Sequence, residues 1–286
     1  MSLRSAAEVA GALRAHGGFE VHEVTIGRPT LEEIAGWPAG VVVPVLHGPW
    51  GEGGPMQSLL EASGRAYVGC GPRAARLAMD KMATKLACVR AGASTLPAAV
   101  LNTGDPEPPL GLPLIIKPVH EGSSVGLFVC RDRASWDAAR SRVDRVSMVE
   151  PFCAAREITV GLIDAGDGSL VALPPVEIRA ATGVYDFEAK YGRDDTEYVV
   201  GPELPEGVGA RCGRDALGAA RELGVRHLAR VDFLVDGEGS CWLMEVNTMP
   251  GFTAASLLPK AAAASGLDMP GLCARLVGCA AGSGAV

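Results

Sequence analysis

Residues 230–257 read Arg-Val-Asp-Phe-Leu-Val-Asp-Gly-Glu-Gly-Ser-Cys-Trp-Leu-Met-Glu-Val-Asn-Thr-Met-Pro-Gly-Phe-Thr-Ala-Ala-Ser-Leu. The Asp-Gly-Glu-Gly stretch at 236–239 separates two runs in which apolar residues alternate, and this pattern predicts a β-hairpin. A turn centred between Gly237 and Glu238 gives the hairpin an apolar, core-facing side, made of Val231, Phe233, Val235, Trp242, Met244 and Val246. Besides Leu234, Cys241 and Leu243, the other side then carries four polar residues: Arg230, Asp232, Glu245 and Asn247.

These four polar residues converge at one end of the hairpin, and their chemistry suits a metal and a phosphate. Magnesium takes one or two carboxylates and keeps other positions for water and substrate phosphates. The arginine can face the same phosphates or a developing oxyanion. The alternative is an ordinary amphipathic hairpin with a solvated outer face. The hairpin continues into Thr-Met-Pro-Gly at 248–251, a turn that can offer N–H groups to an anion, and this continuation favours the metal and phosphate site.

The length and composition restrict the class of protein. With 286 residues, the chain is long enough for two or three compact units. Its net charge of −7 and the lack of long Lys/Arg runs predict no nucleic-acid partner. No apolar run reaches the ~18 residues of a membrane helix, and the first residues do not resemble a signal peptide. We therefore expect a cytoplasmic protein without membrane contacts, whose eight cysteines are reduced and mostly buried.

The periodicity of apolar residues predicts three units. The first, residues 1–80, contains a helix at 2–16, strands at 19–26 and 41–46, a helix at 55–63 and a strand at 67–68. A long helix at 74–92 leads into the second, residues 81–160, with strands at 114–118, 127–130, 147–152 and 157–161 and a helix at 134–142. The third, residues 161–286, is rich in strands and has helices at 214–223 and 256–264 and a Gly/Ala-rich tail.

A loop rich in glycine and serine lies between two strands of the second unit. Its sequence, Gly-Ser-Ser-Val-Gly at 122–126, can aim N–H groups and hydroxyls at phosphates, although it is not a P-loop and by itself also fits a hairpin turn. Lys117 ends an apolar strand, where a nucleotide phosphate would offset its desolvation. Lys81 and Lys85 lie on a helix, where lysines are usually solvated. Glu150 fits either a ribose ligand or a solvated strand end.

Six segments, occurring in family order, together resemble the D-alanine–D-alanine ligases of the ATP-grasp superfamily. They cover nearly the whole chain: His-Gly-Pro-Trp-Gly-Glu-Gly-Gly at 47–54; Tyr-Val-Gly-Cys-Gly at 67–71 leading to Met-Asp-Lys at 79–81; Ile-Lys-Pro at 116–118 with Glu-Gly-Ser-Ser-Val-Gly at 121–126; Arg-Glu-Ile-Thr-Val at 156–160; Tyr-Asp-Phe-Glu-Ala-Lys-Tyr at 185–191; and residues 230–259. The resemblance implies a mixed α/β and α+β architecture, the ATP-grasp fold, with an N-terminal parallel-sheet domain, a small central α+β domain and a C-terminal antiparallel-sheet domain.

The resemblance also implies the reaction, which is the ATP-dependent joining of two D-alanines through an acyl phosphate, for peptidoglycan precursors. ATP would lie between the central and C-terminal units, in contact with Lys81, Lys117, Ser124, Glu150, Phe152, Glu157 and Lys190. Two Mg²⁺ (or Mn²⁺) ions would be held by Asp232, Glu245 and Asn247. Arg230 and the Gly251 N–H would stabilise the oxyanion of the tetrahedral intermediate.

The remaining assignments carried by the resemblance concern D-alanine. Ser256 and Leu257 would hold the carboxylate of the second substrate, partly through a helix N-terminus. His47 and Glu52 would also bind substrate, and Ser123 would be catalytic. Tyr191, also assigned as catalytic, matches the dipeptide-forming ligases; the alternative is a packing residue on an ordered loop. ATP and D-alanine are the expected small-molecule partners, and a homodimer is the expected assembly.

The chain departs from the family pattern at its start. The family begins with a strand and a glycine-rich turn whose glutamate binds the first substrate's ammonium, shortly before Val-Ser-Leu, whereas this sequence begins at Met-Ser-Leu. Gly53 stands where aspartate is usual, and Ala255 where many members have histidine. Two explanations are open. Either the start was misassigned at a GUG valine codon, or this is a divergent or impaired ATP-grasp homologue that binds nucleotide and ligates a different amino or hydroxy acid, or none.

Overall fold

The computed structural model of the protein describes residues 2–122, 124–180 and 196–283. The helices in these residues, α1 to α10, are Ser2–His16, Leu31–Ala35, Pro49–Glu52, Pro55–Ala62, Pro72–Met79, Lys81–Arg90, Arg133–Arg140, Val208–Leu223, Leu257–Ala264 and Met269–Ser283. The strands, β1 to β12, are Val41–Val42, Ala66–Tyr67, Ala99–Val100, Leu114–Pro118, Phe128–Cys130, Ser147–Pro151, Arg156–Asp164, Leu170–Ala172, Val176–Arg179, Glu197–Val200, Leu228–Val235 and Cys241–Asn247.

The strands form three sheets. β1 and β2 make a short parallel pair, and β3-β6-β4-β5 make a four-stranded antiparallel sheet. The third sheet, also antiparallel, has the order β10-β9-β7-β11-β12, and β8 pairs with β7. The mixture of parallel and antiparallel pairing confirms the predicted α/β and α+β class. The boundary predicted between residues 160 and 161 falls inside β7.

The six-stranded sheet is covered by helices on both faces. One face packs on α6 and α8 in the largest apolar cluster, which includes Phe233 and Val246. The other packs on α1, α9 and α10, with Leu228 and Phe252 among the buried side chains. Both faces are largely covered, and the polar side chains at the open end of the hairpin are each partly buried: Arg230, Asp232, Glu245 and Asn247.

The predicted hairpin is formed by β11 and β12, and it contains an irregularity that alternation alone did not indicate. Asp232 pairs with Glu245 and Phe233 pairs with Leu243, so Met244 is an extra residue on β12. Such a β-bulge reverses the side on which the preceding residues of the strand lie. The buried side of the hairpin is therefore made of Val231, Phe233, Val235, Cys241, Leu243 and Val246.

Because of the bulge, the prediction for this hairpin is wrong for part of β12 and right for the residues at the open end. The predicted core positions of Trp242 and Met244 are wrong, since both are only partly buried. The predicted outer-face positions of Cys241 and Leu243 are also wrong, since both are buried in the core. Between the bulge and the open end of the hairpin, Arg230 pairs with Asn247 and Asp232 pairs with Glu245. Directly opposed residues point to the same face of a sheet, so the predicted convergence of these four side chains is confirmed.

Two predicted strands in the first part of the chain differ from the structure. Residues 19–26 form no regular element, although their alternation is strand-like. The predicted strand at 41–46 is regular only at Val41–Val42, because Val45 N–H and Leu46 N–H bond locally to Val43 O and Pro44 O. Pro44 itself lacks the N–H that a continuing ladder needs.

The helix predicted at 74–92 is two helices that meet at Asp80. The Asp80 carboxylate accepts from the N–H groups of Met82 and Ala83, at 2.9 and 3.0 Å, and so caps a new helix instead of continuing the old one. The change of direction brings the Lys81 N–H to Val119 O, at 3.1 Å, beside the end of β4. At the other end of the chain, α10 was missed because its sequence was interpreted as a Gly/Ala-rich tail.

Cysteine burial agrees with the expectation from composition. All eight cysteines are free thiols, and Cys153 and Cys279 are the two that are not fully buried. Among the described helices, none is both long and apolar enough to cross a membrane.

His227 lies in a contact between the loop after β2 and the start of β11. It is 1 % exposed, and its Nδ1 accepts from Gly69 N–H at 3.0 Å. Arg226 Nε donates to Gly69 O, also at 3.0 Å. Burial lowers the pKa of His227 to about 4, the charge of Arg226 acts in the same direction, and Asp164 opposes both. The contact therefore requires a neutral imidazole.

This requirement predicts a stability loss in mild acid. Since the folded pKa of His227 lies below that of an unfolded histidine, about 6.5, the unfolded chain takes up the proton first. The stabilisation is complete above that pH and declines as pH falls toward 4, by up to about 3 kcal/mol. We expect His227→Asn to lack this component, because asparagine keeps an acceptor for Gly69 N–H and tolerates the φ of 66°.

Urea unfolding of both proteins at about pH 7.5 and about pH 5 measures the difference. If wild type and variant lose the same free energy of unfolding between the two pH values, His227 is not the responsible group.

Candidate active site

Asp232 is held from two sides at the open end of the hairpin. Arg230 Nε and Nη2 donate to its two oxygens at 2.9 and 2.7 Å. On the neighbouring strand β7, the buried Thr159 hydroxyl donates to Asp232 Oδ1 at 2.6 Å. The two hydrogen bonds from Arg230 form the strong, planar, bidentate contact typical of arginine with a carboxylate. The arrangement fixes the plane of the carboxylate and the plane of the guanidinium together.

Glu245 lies among cations. Its two oxygens lie 3.9 Å from Arg230 Nη2 and 3.9 Å from Lys81 Nζ. Lys81 also donates to Glu121 O, beside the Gly/Ser loop. Asn247 completes the set, with its Oδ1 accepting from Met249 N–H at 3.0 Å. Lys81 therefore connects Glu245 of the hairpin to the start of the Gly/Ser loop.

Glu150 is fully buried between two lysines. Lys117 Nζ lies 2.5 Å from one oxygen, and Lys85 Nζ contacts the other. Burial by itself would raise the pKa of Glu150, but Lys117 and Lys85 outweigh it and hold that pKa below its usual range. The interpretation of Glu150 as a solvated strand end is wrong. The position of Lys85 on a helix predicts a solvated side chain, but Lys85 is buried and only 6 % exposed.

Lys85 also connects this carboxylate to the hairpin. Its Nζ donates to Thr95 Oγ1 at 2.7 Å and to Leu96 O at 2.8 Å, and Thr95 Oγ1 donates to Leu243 O at 2.9 Å. Leu243 N–H in turn donates to Ser94 O at 2.9 Å. Leu243 precedes the bulge that positions Glu245. Residues 94–96 are thus bonded to β12 on one side and to the Glu150 cluster on the other.

His47 and Glu52 lie at the same end of the molecule, on the loop and short helix after β1. His47 Nδ1 is 4.0 Å from Glu52 Oε2, and Gly48 N–H donates to the other oxygen of Glu52 at 2.8 Å. Burial raises the pKa of Glu52 to about 7 despite the Gly48 hydrogen bond, and repulsion from Glu245 adds to the rise. Burial lowers the pKa of His47, and Arg230 contributes to the decrease. Both groups therefore sense the charges of the hairpin.

The segment between the hairpin and α9 forms a closed turn. Thr253 N–H donates to Ser256 Oγ at 3.1 Å, and Ser256 N–H donates back to Thr253 O at 2.8 Å. Ser256 is the N-cap residue of α9, and Leu257 is its first residue. Gly251, at the start of this segment, is partly buried.

Other predicted site residues occupy the surrounding elements. Glu157 is on β7, two residues before Thr159 and therefore on the face that carries Asp232. The guanidinium carbon of Arg131 lies 4.8 Å from the centroid of the Phe152 ring. Ser124 has a left-handed backbone, with φ of 56°. Ser123, Lys190 and Tyr191 lie outside the described residues.

Sequence reasoning missed Thr159 and Thr95. Thr159 belongs to an alternating segment, but its position beside Asp232 depends on the pairing of β7 with β11, which sequence patterns do not specify. Thr95 lies in a loop without any chemical motif. No sequence signal indicated Thr95, because only the structure shows that Lys85 is buried and therefore requires acceptors nearby.

The donor set fits a divalent cation that binds together with phosphates. In the part of the chain that the structure describes, no three His, Cys, Asp or Glu side chains group as metal ligands. The site has instead two carboxylates and an amide oxygen, from Asp232, Glu245 and Asn247. Magnesium is commonly bound in this way, with phosphate oxygens and water supplying its remaining ligands.

The Glu150 cluster gives a stability prediction. Glu150→Gln should cost about 3–5 kcal/mol in the free energy of unfolding, because it leaves two buried ammonium groups without their counter-charge. Glu222→Gln is the matched control, since it removes an exposed pair with Arg90 at 2.8 Å and should cost less than about 1 kcal/mol. Urea unfolding measures both. Equal losses in the two variants would contradict the prediction.

Comparisons with known proteins identify the relatives of this chain. A family model described as D-ala D-ala ligase C-terminus matches residues 100–278. The D-alanine–D-alanine ligase of Bordetella avium is 40 % identical over 285 residues, which cover 97 % of this chain and 89 % of that one. The ligase of Dechloromonas aromatica is 40 % identical over 289 residues, or 98 % and 93 % of the two chains.

Solved structures give the same result. The ATP complex of the Bacillus anthracis D-alanine–D-alanine ligase superposes with a TM-score of 0.84 at 28 % identity, covering 99 % of this chain and 93 % of that one. The VanG D-Ala:D-Ser ligase of Enterococcus faecalis gives 0.75 at 28 % identity, with coverage of 84 % and 73 %. This chain therefore belongs to the D-alanine–D-alanine ligase family and has its ATP-grasp fold.

Proposed function

We propose that this protein is an ATP-dependent ligase that joins two D-alanines, in the cytoplasm, for peptidoglycan precursor synthesis. The observation that carries the proposal is the pairing of Asp232 with Glu245 and of Arg230 with Asn247 across one hairpin, in a chain of this family. A homodimer is part of the proposal. The alternative, a homologue that binds nucleotide without ligating D-alanine, is an outcome of the test below.

Asp232, Glu245 and Asn247 are the residues that would hold the divalent metal, and we propose two ions. When bound, the metal neutralises charge on the nucleotide phosphates. Lys81 is 3.9 Å from Glu245 and contacts Glu121 O, so its ammonium lies between the metal ligands and the Gly/Ser loop. Phosphoryl transfer depends mainly on positioning and charge neutralisation. This set of side chains is sufficient for it without a covalent nucleophile.

The nucleotide would lie between the two antiparallel sheets. Lys81, Lys117 and Ser124 would face the phosphates, and Lys117 is oriented for this by its contact with Glu150. The same proposal assigns ATP contacts to further residues, of which Lys190 is outside the described part of the chain: Glu150, Phe152, Glu157 and Lys190. Because Glu150 is fully buried with a lysine on each oxygen, it would contribute to ATP binding by orienting Lys117.

Arg230 and the Gly251 N–H would stabilise the oxyanion that forms when the second amine attacks the acyl phosphate of the first D-alanine. The contact of Arg230 with Asp232 already fixes the guanidinium, and preorganised charge of this kind needs no rearrangement as the reaction proceeds. His47, Glu52, Ser256 and Leu257 would bind substrate. Catalytic roles for Ser123 and Tyr191 stay part of the proposal.

The test is a coupled ADP-release assay with magnesium, run with and without D-alanine. We expect release that depends on D-alanine, together with D-alanyl-D-alanine as the product identified by mass spectrometry. Nucleotide binding without turnover stimulated by D-alanine would contradict the proposal, and a panel of other amino and hydroxy acids would then identify a different substrate.

Substitution of the metal ligands should separate catalysis from folding. Glu245→Gln and Asp232→Asn should both reduce turnover strongly. Glu245→Gln should leave the thermal midpoint largely unchanged, whereas Asp232→Asn should also lower it, because it leaves the Arg230 guanidinium without its counter-charge. The matched control is Asp236→Asn at the other end of the hairpin, where the side chain accepts from Glu238 N–H and Ser240 N–H. Near-normal turnover of either ligand variant at ordinary magnesium concentration would exclude the metal role.

Arg230→Ala should lower kcat by about 10²–10³-fold, the usual effect of removing one oxyanion donor. Nucleotide affinity, measured by calorimetry, should change much less. A variant that binds nucleotide poorly and retains kcat would show that Arg230 acts on the phosphates instead.

A further inference from the structure

Three polar side chains of α1 face loops of the candidate site. Ser2 Oγ accepts from His47 N–H at 3.2 Å, and Ser5 Oγ accepts from Phe252 N–H at 3.3 Å. Glu8 Oε2 accepts from Ala254 N–H at 2.6 Å. Residues three apart lie near one another on a helix surface. One side of α1 is therefore hydrogen-bonded to two separate loops that carry proposed substrate residues.

The contacts of Ser5 and Glu8 are made to the closed turn before α9. Phe252 and Ala254 lie between Gly251, the proposed oxyanion donor, and Ser256, the N-cap of α9. Because the turn is closed by Thr253 and Ser256, fixing the Ala254 N–H within it and the Phe252 N–H just before it also fixes the direction in which α9 begins. That end of α9 is where the carboxylate of the second substrate is proposed to bind.

Burial and charge indicate how the two contacts stabilise the turn. Ser5 is fully buried and Phe252 is 3 % exposed, so their hydrogen bond satisfies an N–H group that water does not reach. Glu8 is more exposed, but its carboxylate is charged, and this charge strengthens the hydrogen bond that it accepts from Ala254 N–H. Arg4 Nε lies 3.6 Å from the other Glu8 oxygen and orients the carboxylate.

We infer that Glu8 is a positioning residue for the second D-alanine: it acts through Ala254 N–H to hold the turn 253–256 in the conformation that receives a carboxylate, and Ser5 supports the same turn. This inference rests on the proposed function. It assigns to α1 a role in substrate recognition although none of its side chains needs to touch substrate.

The experiment compares Glu8→Ala and Glu8→Gln with wild type by initial rates. Loss of the charge-assisted hydrogen bond in Glu8→Ala should raise the KM for D-alanine about tenfold, while kcat and the KM for ATP stay at their wild-type values. Glu8→Gln keeps an acceptor for Ala254 N–H and should restore most of the affinity. The matched control is Glu23→Ala, which removes a glutamate that pairs with Arg14 of α1 at 2.7 Å and touches neither loop.

Amide hydrogen exchange supplies a readout that needs no turnover. Peptides covering residues 252–256 should exchange faster in Glu8→Ala and in Ser5→Ala than in wild type, and at the wild-type rate in Glu23→Ala. An unchanged KM for D-alanine, or unchanged exchange in Glu8→Ala, would overturn the inference. If wild type itself does not ligate D-alanine, the proposed function fails, and unchanged exchange would still separately disprove the hold on the turn.

Discussion

The fork between Arg230 and Asp232 is the contact around which the site is organised. A carboxylate and a guanidinium at the end of a largely covered sheet must neutralise each other, because either one alone would carry a large desolvation cost. The partner strand must then bring Glu245 and Asn247 to the same side while its remaining residues fill the core. The bulge at Met244 meets both demands, since it changes the side of the strand between the polar end and the apolar remainder.

The same balance between burial and charge appears at Glu150. Two lysines and one glutamate share a place that water does not reach, and the ionised form persists because the two attractions exceed the burial penalty. Such clusters contribute little to net stability compared with an apolar core, but they keep the buried charges paired. Retaining charge at this cost is consistent with the nucleotide contacts proposed for Lys117 and Glu150.

Much of this architecture could be predicted from sequence where a physical signal was local. The alternation around 230–247 indicated which polar residues share a face, but it could not reveal a bulge, which changes the count by one residue without altering composition. Asp80 was hidden inside a helical period, since an aspartate at such a position is equally compatible with a solvated helix face and with a cap. Thr159 and Thr95 depended on pairings between distant segments, and a single sequence carries no record of those.

The hydrogen bonds of Ser94 and Thr95 have a mechanical consequence. Directional bonds fasten residues 94–96 to β12, whereas Lys85 meets Glu150 of the four-stranded sheet through charge, which tolerates changes of angle. The two sheets are therefore joined through residues 94–96 and Lys85. The hydrogen bonds to β12 are rigid, and the ion pair with Glu150 is more easily deformed. A shift of the four-stranded sheet toward a bound nucleotide would be taken up by reorientation of the ammonium groups, and the geometry of Asp232 and Glu245 would be preserved while it occurs.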